Sequence, residues 1–466
     1  MFRGAIGAFA RRGAGSLWGA GRAHETTDGR KGQGSAGAIS RWVLSPRGIE
    51  SRPMAAPEEL RVVFVAPCAM DTTLRFLRAT AELPGVRLGI ISQDPPERFD
   101  GKLAGPAAFA RIENALDPNA LVGAVTKVGR ELGGPAQRLL GVLEQLQEPI
   151  AAVRERLSIR GMDEREATNF RDKARMKEVL RAHGLPCARH ALVTDLEGAL
   201  AFARETLPLV AKPPAGAGSR GTARIGSIEE LSSYLAASPP SKKEPLLLEE
   251  FIQGEEHSFD SISVGGRHVF HSVTRYLQTP LEVMEHPWLQ WAVILPRHIE
   301  GDEYDAIHQA GPRALDVLGM VTGLTHMEWF RRADGSIAIS EVAARPPGAQ
   351  FTTLLSYAHD FDFYRAWARL QVFEAFEPPK RHFACGAVFL RGRGKGARIS
   401  RIQGIDELRG ELGPVLVEAK LPRPGDPVGE DYTGDGYVIL RHPETAVVER
   451  GLGLVQKGLR LERGGE

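Results

Sequence analysis

The chain is poor in cysteine, nearly neutral and free of long apolar runs, and each shortage excludes a class of protein. Its 466 residues include only three cysteines, too few and too scattered for a disulfide framework or a zinc site, so a reducing compartment is the default. Lys and Arg number 59 against 58 Asp and Glu, which argues against nucleic acid or a membrane surface as partner. No apolar run reaches the length of a transmembrane helix. The composition is that of a globular protein of about three domains, and the expected partner is a small molecule.

Residues 1–53 differ from everything that follows. They hold 11 glycines and nine Lys or Arg against three acids, without sustained periodicity, so we predict a disordered N-terminal extension. The Arg-rich, acid-poor start suits a mitochondrial transit peptide, although its glycines weaken any amphipathic helix. The alternative, which we favour, is upstream sequence included through a wrong start before Met54. That alternative predicts a cytoplasmic protein.

The first orderly segment has the pattern of a small α/β domain, which we place at residues 58–160. Leu60–Val65 and Val86–Ser92 have the composition of buried strands, with a helical stretch at 72–82 between them. No glycine fingerprint follows the first strand, so this Rossmann-like outline does not predict NAD binding. Farther on, the spacing of apolar residues predicts a helix that continues to Leu157. Those residues are Leu139, Leu140, Val142, Leu143 and Leu146.

Residues 161–376 are expected to form the domain that carries the chemistry. A helix begins near Lys173, and a short strand ends in Lys212 before a glycine-rich loop at 213–221. Alternating glycines let backbone N–H groups wrap phosphate oxygens, although glycine-rich linkers are also common. The last segment, 377–466, is predicted to be a small β-rich domain.

Two glutamates, Glu328 and Glu341, lie in β-prone runs on either side of an Asp334-Gly335 turn. Asp-Gly between such runs is a strong hairpin signal. If these two residues form the whole loop, cross-strand partners have numbers that sum to 669, so Glu328 and Glu341 face each other. Facing carboxylates are destabilising unless a cation lies between them, so the pair predicts a site for Mg²⁺ or Mn²⁺. The alternative is a solvated hairpin with two surface glutamates.

Together these features resemble a known family. The two lysines, the glycine loop, the acidic run at 249–256, the glutamate pair and Arg345 occur in the order and approximate spacing of the ATP-grasp superfamily. The chain resembles its carboxylate–amine ligases, which are akin to biotin carboxylase, D-alanine–D-alanine ligase and L-amino acid ligase. The resemblance spans about residues 60–376. It implies an α/β (α+β) fold with a Rossmann-like N-terminal domain, a two-part ATP-grasp domain with a mobile lid at about 187–250, and a β-rich C-terminal domain.

The resemblance also implies ATP-binding roles for individual residues. Lys173 and Lys212 match the lysines that contact ATP phosphates. Glu249 matches the acid near the adenine amino group, and Glu256 matches the acid that binds ribose. The remaining ATP-binding positions lie in the lid loop and in the segment whose backbone faces the base: Gly216, Gly218, Ser219 and Gly221, then Phe251 and Ile252.

At the reacting end, the resemblance implies that Glu328 and Glu341 bind the metal. Arg345 matches the arginine that faces the transferred phosphoryl group, and it forms the catalytic pair with Lys212. One position departs from the family pattern. Many members carry an asparagine two residues after the second acid as a further metal ligand, and here that residue is Ala343.

Two further residues have assignments from the residue pattern alone. Arg275 is assigned to the substrate, because it precedes a loop and a guanidinium binds carboxylates; a surface arginine is the alternative. His326 is expected to alternate to the other face of the hairpin and to belong to the core.

The implied function is an ATP- and Mg-dependent ligase that activates a carboxylate as an acyl phosphate and joins it to an amine, releasing ADP and phosphate. Two alternatives stay open: biotin-carboxylase-like carboxyphosphate chemistry, and a non-catalytic ATP sensor, which Ala343 permits. The partners are small carboxylates and amines, with amino acids expected, and neither nucleic acid nor membrane. The sequence does not decide the oligomeric state, for which a homodimer is one option.

Overall fold

The structure is a computed structural model that describes residues 59–99, 101, 103, 105–216 and 221–465. The predicted disordered extension at 1–53 lies outside the described residues. In the described part of the chain, no helix has both the length and the apolar character needed to cross a membrane. The predicted mixed α/β fold class is confirmed.

The N-terminal segment is a parallel sheet of four strands in the order β3-β2-β1-β4. Its strands are β1 (Leu60–Val65), β2 (Val86–Ser92), β3 (Ala108–Arg111) and β4 (Arg138–Leu140). The helices that follow β1, β3 and β4 are α1 (Asp71–Ala81), α2 (Pro118–Glu131) and α3 (Gln147–Leu157).

The helix predicted from Leu139 onward is wrong in its first part. Leu139 and Leu140 belong to β4 and are buried beside β1, and the helix itself begins at Gln147. A 3₁₀ turn, Glu144–Leu146, separates the two elements. A short apolar run does not distinguish a buried strand from a helix, which is why periodicity misassigned it.

Two helices lead into a small antiparallel sheet, whose order is β5-β8-β6-β7. The helices are α4 (Glu164–Arg171) and α5 (Lys173–Ala182), and the strands are β5 (His190–Val193), β6 (Leu209–Lys212), β7 (Ala223–Ile225) and β8 (Leu246–Glu250). One face is packed under α6 (Leu196–Thr206) and α7 (Ile228–Ala237). The Asp172 side chain caps α5 by accepting from the N–H groups of Ala174 and Arg175, which fixes Lys173 in the first turn.

A large antiparallel sheet runs through the rest of the chain in the order β13-β12-β9-β10-β11-β14-β18-β17. Its strands are β9 (Glu255–Val264), β10 (Arg267–Tyr276), β11 (Trp291–Leu295), β12 (Gly323–Arg331), β13 (Ile337–Ala343), β14 (Ala384–Leu390), β17 (Leu416–Lys420) and β18 (Gly436–His442). A three-stranded sheet of β15 (Gly392–Arg393), β16 (Arg398–Gln403) and β19 (Arg460–Gly464) lies near the C-terminus. Because β14 joins β11, the large sheet is continuous across residue 377, where the sequence predicts a domain boundary.

The helices of this half are α8 (Pro280–Glu285), α9 (Asp305–Leu318), α10 (Phe351–His359), α11 (Phe363–Phe373), α12 (Ile405–Leu412) and α13 (Thr445–Gly458). One hydrophobic core unites the N-terminal sheet with the large sheet. Within it, Phe64 of β1 and Phe76 of α1 pack edge-on against Trp367 of α11. The carboxyl end of β4 lies beside the residues that follow β13, since Leu140 and Gly141 line a small cavity together with Arg345 and Pro346.

Candidate active site

The hairpin of β12 and β13 places Glu328 directly opposite Glu341, as predicted. The predicted two-residue loop is wrong. Arg332 donates its backbone N–H to Ser336 O at 2.8 Å, so the loop contains three residues, and Gly335 closes it with a φ of 81°. A β-bulge then shifts the register by one residue. Trp329 pairs with Ile339 but Glu328 pairs with Glu341, so Ser340 has no partner on β12. Glu328 and Glu341 face each other because the extra loop residue and the bulge at Ser340 shift the register in opposite directions.

Lys173 contacts both the hairpin and the glycine loop. Its Nζ lies 3.0 Å from Glu341 Oε1 and donates to Gly216 O at 3.1 Å. Burial would raise the pKa of Glu341, but the charges of Lys173 and Lys212 outweigh it and lower that pKa to about 2. Glu341 is therefore an anion throughout the physiological range.

Glu249 lies between two ammonium groups. Its oxygens are each 3.0 Å from a lysine nitrogen, Oε1 from Lys177 and Oε2 from Lys212. Burial would raise its pKa, yet the two lysines together keep that pKa below the usual range. Lys177 also donates to the carbonyl of Ser340, the bulge residue, so this cluster ties β8 to the hairpin. Both Glu249 and Lys177 are buried.

Arg345 is held by a carboxylate from the N-terminal segment. Its Nε donates to Glu144 Oε2, and the other Glu144 oxygen lies 3.7 Å from Arg171 Nη1. Arg171 in turn donates to the carbonyls of Ala215 at 2.8 Å and Gly216 at 2.9 Å. One buried glutamate thus links Arg345 to the glycine loop.

A second group of titratable side chains surrounds Glu328. Burial, reinforced by the charge of Glu328, raises the pKa of Glu256 well above its usual value. His326 Nδ1 lies 2.6 Å from Asp260 Oδ1, and its Nε2 lies 3.6 Å from Glu328 Oε1. Burial would lower the pKa of His326, but Asp260 outweighs it and raises the pKa to about 10. His326 therefore places a cation beside Glu328.

His326 is buried, as expected, but its expected position on the other face of the hairpin is wrong. Residues two apart on a strand share a face, so His326 points the same way as Glu328, and both line the same cavity. Across the hairpin, His326 pairs with Ala343, the position where the family pattern has asparagine.

One cavity of about 500 Å³ brings most of the predicted residues together. Those that line it are Lys173, Lys212, Gly216, Glu249, Phe251, Ile252, Glu256, Glu328, Glu341 and Arg345. The backbone N–H of Phe251 donates to Pro208 O at 3.0 Å, which leaves its carbonyl as the group to face a ligand.

In the described part of the chain, two predicted residues, Arg275 and Gly221, are not among those that line this cavity. Arg275 instead forms an ion pair of 3.0 Å with Glu449 of α13. Gly221 has a φ of 70° at the end of the loop. Gly218 and Ser219 lie outside the described residues.

Sequence reasoning missed several residues of the site: Glu144, Lys177, Arg224, Tyr276, His326 and Tyr432. Glu144 carried a usable signal, because a lone acid within an apolar run is rarely buried without a partner. Arg224 stacks its guanidinium 4.2 Å from the ring centroid of Phe251, a contact that only the pairing of β7 with β6 creates. Arg275 and Tyr276 are neighbours on β10 and point to opposite faces of the sheet. Assigning the cavity face to Tyr276 instead of Arg275 would have identified this site residue.

Comparison with known proteins agrees with this geometry. A family model of the ATP-grasp domain matches residues 178–359. The chain is 28% identical over 222 residues to an alanine–anticapsin ligase of Bacillus subtilis, covering 43% of this chain and 46% of that protein. It is 24% identical over 247 residues to an L-arginine-specific L-amino acid ligase of B. subtilis, covering 52% and 59%. These alignments span about half the length of the two ligases.

Among solved structures, an L-amino acid ligase from Bacillus licheniformis superposes with a TM-score of 0.72 at 18% identity. The match covers 88% of this chain and 100% of that one. The predicted ATP-grasp fold is therefore confirmed.

Proposed function

The chain carries an ATP-grasp domain, and on that premise we propose that it is an ATP-dependent ligase that joins a carboxylate to an amine. The carboxylate attacks the γ-phosphate of ATP, forming a C–O–P bond and releasing ADP. The amine then attacks the acyl carbon, and inorganic phosphate leaves as the amide forms. Ligases among the homologues support this reaction class.

The observation that carries the proposal is the convergence of three cations on the facing glutamates. Lys173, Lys212 and Arg345 come from different segments, yet all line the cavity that also contains Glu328 and Glu341. Phosphoryl transfer needs positioning and charge neutralisation more than covalent chemistry, and this arrangement supplies both. Each cation is matched by a carboxylate in this arrangement, and two of these carboxylates, Glu249 and Glu144, are buried, so the positive charges are preorganised.

The donor set fits magnesium or manganese. Among the described residues there is no group of three or more Asp, Glu, His or Cys side chains that could hold a metal alone. Magnesium commonly takes one or two carboxylates and completes its shell with substrate phosphates and water, which is what the facing Glu328 and Glu341 offer. When bound, the ion would neutralise charge on the β and γ oxygens of ATP. Glu341 is held ionised for that role by Lys173 and Lys212.

The glycine loop is proposed to exclude water from the acyl phosphate. Arg171 and Lys173 both donate to Gly216 O, so the described start of the loop is fastened beside the phosphate-binding lysine. A closed loop protects a reactive intermediate from hydrolysis. Amino acids are the proposed substrates.

One observation favours the alternative of an ATP sensor. Ala343 lines the cavity where many family members supply a further metal ligand. Release of ADP and phosphate that depends on added substrate separates the two functions, because a sensor binds ATP without substrate-dependent turnover. A bicarbonate arm in the same assay tests carboxyphosphate chemistry, and light scattering of the purified chain tests the homodimer.

A further inference from the structure

A second, smaller cavity lies behind Arg345. It has a volume of about 70 Å³, and Arg345 lines it as well as the main cavity. One wall is the chain at Leu139, Leu140 and Gly141, at the carboxyl end of β4. Ligands of parallel α/β sheets bind at this end of the strands.

The lining of the small cavity carries an excess of positive charge. Besides Arg345, it contains three arginines, Arg138, Arg154 and Arg160, and a single acid, Glu374. Glu374 lies 2.7 Å from Arg160 and 3.8 Å from Arg138. Arg345 is already matched by Glu144. One carboxylate therefore serves three guanidinium groups.

Arg154 is the group least compensated. Its Nε and Nη2 both donate to Leu139 O, at 3.2 and 2.7 Å, and a backbone carbonyl carries no net charge. Burial, together with the positive charge of Arg138, lowers the pKa of Arg154 to about 10, and within the described part of the chain no carboxylate is among the charges that shift it. A Cβ at Gly161 would lie 2.8 Å from Arg154 Nε, so the guanidinium packs directly against the backbone there.

Arg154 is half-buried. Withdrawing a guanidinium from water without a counter-charge is costly, and an anion in the cavity would offset part of that cost. The volume accommodates a group of a few heavy atoms, since a single water needs about 10–15 Å³ by the same kind of measure. Gln147, Thr322 and Gln371 add neutral polar groups to the lining.

We propose that this small cavity is a binding site for an oxyanion, a carboxylate or phosphate group. This proposal does not rest on the ligase function, because the excess of arginines that line the small cavity is independent of any ATP turnover. Its anion is either a free ion or the second anionic group of a substrate whose reacting end lies across Arg345 in the main cavity.

The test is equilibrium dialysis of radiolabelled inorganic phosphate against the full-length protein, with chloride fixing the ionic strength. The comparison uses Lys212→Gln as the background, because that change weakens phosphate binding in the main cavity. Adding Arg154→Gln or Arg160→Gln to this background should weaken the remaining binding about tenfold, the effect of one charge-assisted hydrogen bond. Adding Arg160→Lys, which keeps the charge, should lose less.

Equal binding in all these variants, or no binding once Lys212 is replaced, would overturn the proposal. Arg160 is largely exposed, so its replacement tests the site even if Arg154→Gln does not fold. Dialysis needs no turnover, so a failed ligase assay leaves this result standing. If turnover exists, phosphate that competes with the substrate identifies a substrate-borne group, whereas a change in kcat without competition identifies a free ion.

Discussion

Glu144 accepts a hydrogen bond from Arg345, although 201 residues separate them in the chain. The carboxylate comes from the 3₁₀ turn after β4, and the guanidinium follows β13. Glu144 is 5% exposed, and it also approaches Arg171, which fastens the glycine loop. The N-terminal segment thereby orients the arginine proposed to face the transferred phosphoryl group.

Replacing Glu144 with Gln should lower kcat for ADP release about 10- to 100-fold, because a charge-assisted hydrogen bond contributes about 1.5–3 kcal/mol. The KM for ATP should change much less, since Glu144 contacts neither Lys173 nor Lys212. Steady-state kinetics check this split. Gln145→Ala, at the exposed neighbour on the same turn, is the matched control. A normal kcat in Glu144→Gln would refute the positioning role.

The stack of Arg224 on Phe251 lines the cavity, at the end proposed to hold the adenine of ATP. Cation–π pairs contribute about 0.5–2 kcal/mol, so Arg224→Ala should raise the dissociation constant for ATP roughly 2- to 30-fold. Calorimetric titration with ATP measures it. Arg204→Ala, an exposed change on α6, should leave the affinity unaltered. If both variants bind ATP equally well, the stack does not contribute to the nucleotide site.

Stability should fall in acid because of buried neutral histidines. Burial lowers the pKa of His257 to about 4 and that of His359 to about 3. Between pH about 6.5 and about 3–4 the unfolded chain therefore takes up protons that the folded state refuses, so the free energy of unfolding decreases as pH falls. His257 accounts for about 3 kcal/mol and His359 for about 5 kcal/mol, and both contributions are fully present above pH about 6.5.

Denaturant titrations at neutral and acidic pH check this prediction in His359→Phe. Between pH about 7 and pH about 3, the variant should lose about 4–5 kcal/mol less stability than the unmodified protein. His298→Gln, at a histidine whose side chain is 79% exposed, serves as the control. The same acid-induced loss in His359→Phe as in the parent would contradict the assignment.

The sequence predicted the strands and the hairpin contact that depend on local sequence rules. The strands at 60–65 and 86–92 and the opposition of Glu328 and Glu341 all agree with the structure. The hairpin also shows the limit of those rules, because a three-residue loop and the bulge at Ser340 offset each other. Turn chemistry at Asp334-Gly335 specifies a hairpin, whereas the carbonyl of the bulge residue Ser340 accepts a hydrogen bond from Lys177 of α5, a partner that no local pattern identifies.

What the sequence could not predict depends on partners far apart in the chain. The ion pair of Arg275 with Glu449 joins β10 to α13, and no local pattern connects them. The run around Glu144 indicates a buried acid with a partner, but no local pattern identifies that partner as Arg345, 201 residues away. The face of His326 could have been predicted from the sequence, because residues two apart on a strand share a face and Glu328 is two residues away.

The central claim is tested most directly by Glu341→Gln in an assay of ADP and phosphate release. The full chain is mixed with Mg-ATP and pools of amino acids, and ADP, AMP and phosphate are separated by chromatography. We expect the parent protein to release ADP and phosphate only when a suitable amino-acid pool is added. Glu341→Gln should release neither, although its circular dichroism spectrum should match that of the parent. Turnover in Glu341→Gln with an unchanged magnesium requirement would contradict it.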